Sequence, residues 1–368
     1  MSSPVCRWGI LGTATIARKN WQSIRNAGNA TLNAVASRSV QRAQSFIDDC
    51  QSRVAFANPP RAYGSYEELL GDADVDAVYV PLPTGMRTEW VVRAAEAGKH
   101  VLVEKPCGVA AADVSRMLDA CRQNNVQFMD GVMFMHSARL PAIRAILNSP
   151  QGVGRLRRMA TNFSFLAPDD FMQENIRVSS ELEPLGCLGD LGWYNIRFCL
   201  WVLNWQMPQR VTGRLLSTGG RPDSAQPVPT EFSGELFFEQ GVSAAFYCSF
   251  LTEHQQWVNL SGTEGHLQLN DFVLPEYGSE LRFDVCRPQF QIDSCQFNME
   301  MHRRTHVIEE YSNNAVSAQE ANMVRNFSQL VLSGKVDESW GQIALKTQQV
   351  MDACLNSARS GCVEVSLS

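Results

Sequence analysis

Three groups of residues in this chain have the types and spacing to do chemistry. The first is Gly12-Thr13-Ala14-Thr15-Ile16-Ala17, which follows the apolar run Cys6–Leu11. A strand that runs into such a turn and then a helix is a variant of the G-x-G-x-x-G/A dinucleotide fingerprint. Gly12 permits the tight turn and Ala17 permits close helix-to-strand packing. The helix N-terminus then offers N–H groups and partial positive charge to a pyrophosphate. Ala14 stands where the second glycine belongs, and a βα turn that uses Gly12 for geometry alone is the competing reading. The second group is Glu104-Lys105-Pro106. Val101-Leu102-Val103 reads as a buried strand that Pro106 stops. Glu104 and Lys105 then fall at the carboxyl edge of a sheet, where open α/β folds bind ligands. A lysine fixed there can handle a substrate proton, although the same tripeptide is equally an ordinary solvated strand end. The third group is Asp190 and Tyr194, four apart and so on one face of a helix near its N-terminus. A tyrosine serves as acid or base when a nearby lysine charge favours its phenolate. The competing reading makes Asp190 a helix-dipole partner and Tyr194 a core residue.

The end of the second strand bears on the cofactor. An NAD site carries Asp or Glu about 20 residues past the fingerprint, to accept hydrogen bonds from the ribose 2′-OH. Here the strand ends Ala36-Ser37-Arg38-Ser39, with Arg42 one turn into the next helix and no acid among them. A hydroxyl and a guanidinium suit a 2′-phosphate instead. The expectation is NADP(H) over NAD(H), with NAD still possible.

These groups need a scaffold, and the first third of the chain supplies one by alternating short apolar strands with amphipathic helices. Strands are expected at Cys6–Leu11, Thr31–Ala36, Asp76–Val80, His100–Val103 and Val126–Asp130. Helices are expected at about Ile16–Asn26, at Val40–Cys50 behind Ser39 as N-cap, and at Tyr66–Leu70 behind Ser65. Further helices are expected at Glu89–Ala97, Ala111–Asn124 and Arg139–Leu147. After Gly152-Val153-Gly154 strand-like segments follow one another, at Leu156–Phe165, Arg210–Ser217, Glu231–Phe238, Ser243–Leu251, Gln256–Leu260 and His266–Leu269. That succession is the signature of a mainly antiparallel sheet. Helices Gly189–Leu203, Ala318–Leu332 and Gln342–Arg359 interrupt or follow it, before a last strand Val363–Leu367. The fold class is therefore an α/β domain with a parallel sheet wrapped by helices, plus an α+β domain with a mainly antiparallel sheet. The domains are placed at 1–135, with a linking helix to about 150, and 151–368.

At 368 residues the chain exceeds the usual single-core limit. A net charge of −6 and a pI near 5.6 argue against a nucleic-acid partner. The apolar runs are too short to span a membrane, and strand one starts too early to leave room for a signal peptide. Eleven scattered cysteines without metal-ligand spacing read as reduced, buried thiols of a cytoplasmic protein, with no metal expected.

Together these pieces resemble the glucose–fructose oxidoreductase/inositol dehydrogenase (Gfo/Idh/MocA) superfamily. Within it the chain is most similar to the dihydrodiol dehydrogenase, NADP-dependent xylose dehydrogenase and uncharacterised plant oxidoreductase branch. The resemblance rests on the Gly12–Ala17 turn, Ala36-Ser37-Arg38-Ser39, Glu104-Lys105-Pro106 and Asp190-Leu191-Gly192-Trp193-Tyr194, and spans essentially the whole chain. It implies a Lys105–Tyr194 catalytic pair with Asp190 beside it in the substrate pocket; Tyr194 stands where inositol dehydrogenases have a histidine. It implies cofactor contacts from Gly12, Thr13, Ala14, Thr15 and Ile16, from Ser37, Arg38 and Arg42, and from Glu104 and Lys105. It also implies contacts from Pro81, Leu82, Pro83, Thr84 and Arg87, where the usual pattern T-P-N-x-x-H is altered: Thr84 replaces Asn and Arg87 replaces His. The stretch Asp130–Arg139 departs as well. His136 and Arg139 are unassigned by motif, and His136 reads as a satisfied structural histidine. The implied activity is hydride transfer between nicotinamide and a carbinol or carbonyl carbon of a sugar, cyclic polyol or diol. The implied fold is an α/β Rossmann domain with a parallel sheet plus an α+β second domain with a large open, mainly antiparallel sheet, and the implied assembly is a homodimer or homotetramer through that second-domain sheet. A cofactor-bound regulatory or sensor protein and an NAD-dependent glycosidase using transient oxidation are the alternatives.

Overall fold

Short runs of Val, Leu, Ile and Ala without polar alternation build the first sheet, as strands covered on both faces require. The computed structural model describes residues 4–312 and 314–367, and the chain divides into two units. The first comprises the chain through His136, Glu181–Pro184, and the stretch after Ser312 that ends at Gln349; the second comprises Ser137–Ser180, Leu185–Ser312 and the chain from Val350 onward.

The first unit contains β1 (Cys6–Leu11), α1 (Thr15–Asn26), β2 (Ala30–Ala36), α2 (Val40–Arg53), β3 (Arg61–Tyr63), α3 (Tyr66–Leu70) and β4 (Ala77–Val80). It continues through α4 (Thr84–Glu96), β5 (His100–Val103), α5 (Ala111–Gln123) and β6 (Phe128–Asp130). The strands lie in the order β3-β2-β1-β4-β5-β6, all parallel. Strand order reverses between β1 and β4, which opens a crevice at the carboxyl ends of the strands. Ser39 and Ser65 cap α2 and α3 as their positions lead one to expect, accepting from the Arg42 and Glu68 N–H groups.

The second unit contains α6 (Arg139–Leu147), β7 (Leu156–Leu166), α7 (Phe171–Glu174) and a π-helical turn, Leu188–Gly192, that continues as α8 (Trp193–Val202). All ten residues of α8 are buried, Asn195 and Arg197 among them, as befits a mainly apolar helix inside a core. Strands β8 (Arg210–Gly219), β9 (Val228–Phe237), β10 (Ser243–Ser249), β11 (Leu251–Gly262), β12 (His266–Leu269), β13 (Glu280–Asp293), β14 (Gln296–Glu309) and β15 (Val365–Ser366) complete the unit. With β7 they form a sheet ordered β14-β13-β12-β11-β7-β10-β9-β8-β15. Its pairings are antiparallel except β10 on β7. The expected fold class is the one found.

Two late helices differ from the expected domain split. The sequence reading gives everything after 151 to the second domain, whereas α9 (Gln319–Ser333) and the first half of α10 (Ser339–Arg359) group with the first unit. The Trp8 indole N–H donates to Ser328 Oγ at 3.0 Å and its ring packs on Phe327 at 5.1 Å. Lys19 pairs with Glu320 at 2.5 Å. His136, buried as the sequence suggests, stacks on Trp340 at 4.8 Å, and its Nδ1 lies 3.0 Å from Asn326 Nδ2.

Candidate active site

The carboxyl edge of the parallel sheet gathers four expected segments of the first unit. After β1, Gly12 has a φ of +107°, a backbone state that favours glycine, and an added Cβ would sit 3.1 Å from Leu82 Cδ2. Helix α1 then starts at Thr15 behind Ala14, with no side-chain cap and no acid in its first turn. Its first N–H groups and dipole are thereby presented to an anion. Beyond β2, Ser37 is buried and Arg38 is exposed. The side chain that shows where the arginines act is Tyr66, the first residue of α3. Burial pushes the Tyr66 phenol up, and the charges of Arg38 and Arg42 pull against that rise. The Tyr66 hydroxyl lies 3.5 Å from the Cβ that Gly12 lacks. A phenol and an uncapped helix start therefore meet at the Gly12 turn, where the charges of two arginines are felt. This donor set fits a dinucleotide carrying a 2′-phosphate.

Glu104 is buried at the end of β5. Its carboxylate accepts from the Tyr79 hydroxyl at 2.6 Å and from the Lys105 backbone N–H at 3.2 Å. Asn20 Nδ2 in turn donates to the Tyr79 oxygen at 2.7 Å. Burial first, and the Glu104 charge second, hold the Tyr79 phenol well above its ordinary value, so it remains a donor. Strand β4 thus fixes the residue that braces the Lys105 backbone. The Lys105–Pro106 peptide is cis.

After β4, Thr84 and Arg87 are almost fully buried. The Arg87 guanidinium donates to the Leu82 carbonyl at 2.7 Å, to Thr84 Oγ1 at 2.8 Å and to the Pro106 carbonyl. Helix α4 begins at Thr84 instead of the expected Glu89. Pro83 at its N-cap has no capping side chain, and the Glu183 carboxylate takes that role.

In the second unit the expected regular helix around Asp190 is a π turn, so the Asp190-to-Tyr194 spacing runs through i→i+5 winding before α8 starts. Such turns are frequent at functional sites. Gly186, at a φ of +48°, lets this segment lie against Pro229, whose carbonyl oxygen would be 2.1 Å from an added Cβ. Tyr194 is buried, with its ring 5.6 Å from Phe163. Asp190 Oδ2 forms a 2.8 Å ion pair with Arg177 Nε. Arg139 is buried against Asp271 at 2.5 Å, an ion pair within this unit.

Sequence reasoning missed Tyr66, Glu183, Arg177 and Phe163. Tyr66 carried a signal, an aromatic directly behind a capping serine after the second βα unit; the others act through partners distant in sequence.

A doubly wound sheet with a phosphate turn and a sheet-edge lysine, joined to a large mixed sheet, defines a nucleotide-dependent oxidoreductase. The chain belongs to the GFO/IDH/MocA family. Residues 6–132 match the model described as oxidoreductase family, NAD-binding Rossmann fold, and residues 142–268 match the GFO/IDH/MocA C-terminal domain. The chain is 33% identical over 278 residues to D-xylose 1-dehydrogenase (NADP(+)) 2 of Haloferax volcanii, covering 75% of this chain and 80% of that protein. It is 31% identical over 270 residues to trans-1,2-dihydrobenzene-1,2-diol dehydrogenase of Bos taurus, covering 72% and 74%. The crystal structure of KijD10, a 3-ketoreductase from Actinomadura kijaniata, in complex with NADP and TDP-benzene, is similar with a TM-score of 0.78 at 26% identity over 98% of each chain. The family expected from the motifs is the family found.

Proposed function

We propose that this protein is an NADP(H)-dependent oxidoreductase that moves hydride between nicotinamide and a carbinol or carbonyl carbon of a sugar, cyclic polyol or related diol. The observation that carries the reading is Lys105 at the carboxyl edge of β5, braced by Glu104, on the sheet edge that also bears the Gly12 turn with Arg38 and Arg42. Relatives named as xylose and dihydrodiol dehydrogenases support the substrate class. A nicotinamide dinucleotide held at the Gly12 turn would supply or accept the hydride. Tyr194 takes the substrate hydroxyl proton in oxidation and returns it in reduction, while Lys105 Nζ holds the negative charge of the phenolate or alkoxide. Asp190, steadied by Arg177, orients the substrate hydroxyl. Proton handling of this kind contributes about 10²–10⁴-fold.

A screen of aldoses, inositols, anhydro sugars and aromatic dihydrodiols, followed by NADPH absorbance, tests the reading. Lys105→Met should abolish turnover while NADPH binding persists; retained activity removes Lys105 from the chemistry. If Tyr194→Phe keeps its rate, Lys105 is the proton donor. A chain that binds NADPH but turns over nothing is a regulatory protein, and cofactor cycling without net turnover marks a glycosidase.

We also propose a homodimer or homotetramer through the second-domain sheet, in the cytoplasm, where nine buried thiols stay reduced. The β13–β14 ribbon supports the assembly. Beyond its last pairing with β12 at Cys286 it sets Pro288, Phe290 and Ile292 directly opposite Met301, Met299 and Phe297. All six are exposed on one face.

A further inference from the structure

The altered stretch Pro81-Leu82-Pro83-Thr84-Gly85-Met86-Arg87 has a physical account that the proposed reaction does not absorb. Thr84 and Arg87 both bind Glu183, a residue 99 positions downstream of Thr84. Glu183 Oε1 accepts from the Thr84 backbone N–H at 3.0 Å, and Oε2 accepts from the Thr84 hydroxyl at 2.5 Å. Arg87 Nη2 lies 3.8 Å from Glu183 Oε1. The Gly85 N–H donates to the Leu182 carbonyl at 3.0 Å. A Cβ at Gly85 would sit 2.4 Å from the Glu181 carbonyl oxygen, so glycine is what lets Glu181 and Leu182 lie against the first turn of α4. A carboxylate from a distant segment thus caps this helix, where negative charge is favoured.

The same guanidinium reaches two turns of the candidate site. One is Pro81–Thr84, through the Leu82 carbonyl; the other follows Lys105, through the Pro106 carbonyl. A buried guanidinium keeps such a geometry when its charge is compensated, and removing one partner of a buried pair is what costs most.

We propose that Glu183 is a positioning residue: by pairing with Arg87 and capping α4 it fixes the Pro81–Thr84 and Lys105–Pro106 turns and so sets where Lys105 stands. The consequence for turnover rests on the function proposed above; the effect on the turns does not. Two measurements on the full-length protein keep the two apart. Amide hydrogen exchange without cofactor should be faster in peptides covering 82–87 and 101–108 of Glu183→Gln than of the native chain, and unchanged around Gly12 and Ser37. In kinetics, Glu183→Gln should lower kcat about ten- to hundredfold, the scale of a small misplacement of a reacting group, with a smaller accompanying rise in the NADPH Kd. Arg87→Met should show the same faster exchange and a comparable fall in kcat, and the double variant should be no slower than the slower single variant. Glu183→Asp, which keeps the charge, should recover part of kcat. Unchanged exchange in both peptides overturns the proposal whatever the activity, as do kcat losses that multiply in the double variant. Faster exchange in a chain with no NADPH-linked turnover would leave the positioning role standing and reject the proposed reaction.

Discussion

Arg38 is a single side chain at which the proposed preference for NADP(H) can be tested. Its charge and that of Arg42 act on the Tyr66 phenol, which lies beside the Gly12 turn, and positive charge there suits a 2′-phosphate. Arg38→Ala should raise the NADPH Kd about ten- to hundredfold, the worth of one or two hydrogen bonds to a charged group. The NADH Kd should hardly move. Isothermal titration with both cofactors checks this, and a parallel loss of NADH binding would show that Arg38 serves the fold instead. The arginine was legible because the strand, its end and the spacing from the glycine turn are local in sequence. Glu183 was not legible, since its partners lie 99 and 96 positions away and nothing in Glu181–Pro184 marks the segment as a cap. His100 makes a different kind of prediction. Its Nδ1 accepts from the Gln127 N–H at 2.8 Å, which requires an unprotonated nitrogen, and burial lowers its pKa against a weaker opposing pull from Asp76. The unfolded chain therefore binds this proton more readily than the folded one. Its contribution to stability is complete above the unfolded value of about 6.5 and is lost as pH falls through the lowered folded value. Thermal melts should show a decline below about pH 6.5 that flattens in His100→Asn, whose side-chain oxygen can still accept from Gln127; an equal slope in both would discard the account.

At the scale of elements, regular units were read well and irregular ones were not. The parallel strands and their helices follow from apolar runs and serine caps, which act within a few residues. The π turn at Leu188–Gly192 has no such local signal, because Gly189 and Gly192 are permissive of several windings and packing selects one. Gly192 shows this: an added Cβ would lie 3.3 Å from Cys248 Sγ on β10. Strand β3 is three residues long, and β13 and β14 alternate apolar and polar residues so far beyond the sheet that burial could not reinforce the pattern. The approach of the π-turn segment to β9 can be tested at Gly186. A side chain there meets both a left-handed backbone and the Pro229 carbonyl. Gly186→Ala should destabilise the protein by roughly 2–4 kcal/mol and lower kcat as the turn bearing Asp190 shifts. Denaturant melts and kinetics together check it, and a loss below about 0.5 kcal/mol would mean the segment relaxes freely.

At the scale of the whole molecule the proposed assembly is tested at the β13–β14 ribbon. Residues Arg287–Asp293 pair with β14 but not with β12, so this part of the hairpin stands as two strands alone. Two-stranded hairpins are marginal in water, yet one face of this ribbon is wholly apolar and the other carries Gln289, Gln291 and Asp293 opposite Glu300, Asn298 and Gln296. That division makes sense when the apolar face is covered. Its six side chains project to the side opposite the buried Leu281, Phe283 and Val285, away from their own unit's core. On the homodimer reading a second copy covers them. Phe290→Asp with Met299→Asp, an opposed pair at the middle of the ribbon, should then convert the oligomer to single chains in light scattering while leaving the far-ultraviolet circular dichroism intact. Cys295, exposed between the two strands, supplies an internal control: its alkylation should be slower in the native oligomer than in the aspartate variant, whereas Cys362, exposed elsewhere, should react equally in both. A native chain that scatters as a monomer, or an aspartate variant with undiminished mass, would reject the ribbon as the surface of self-association.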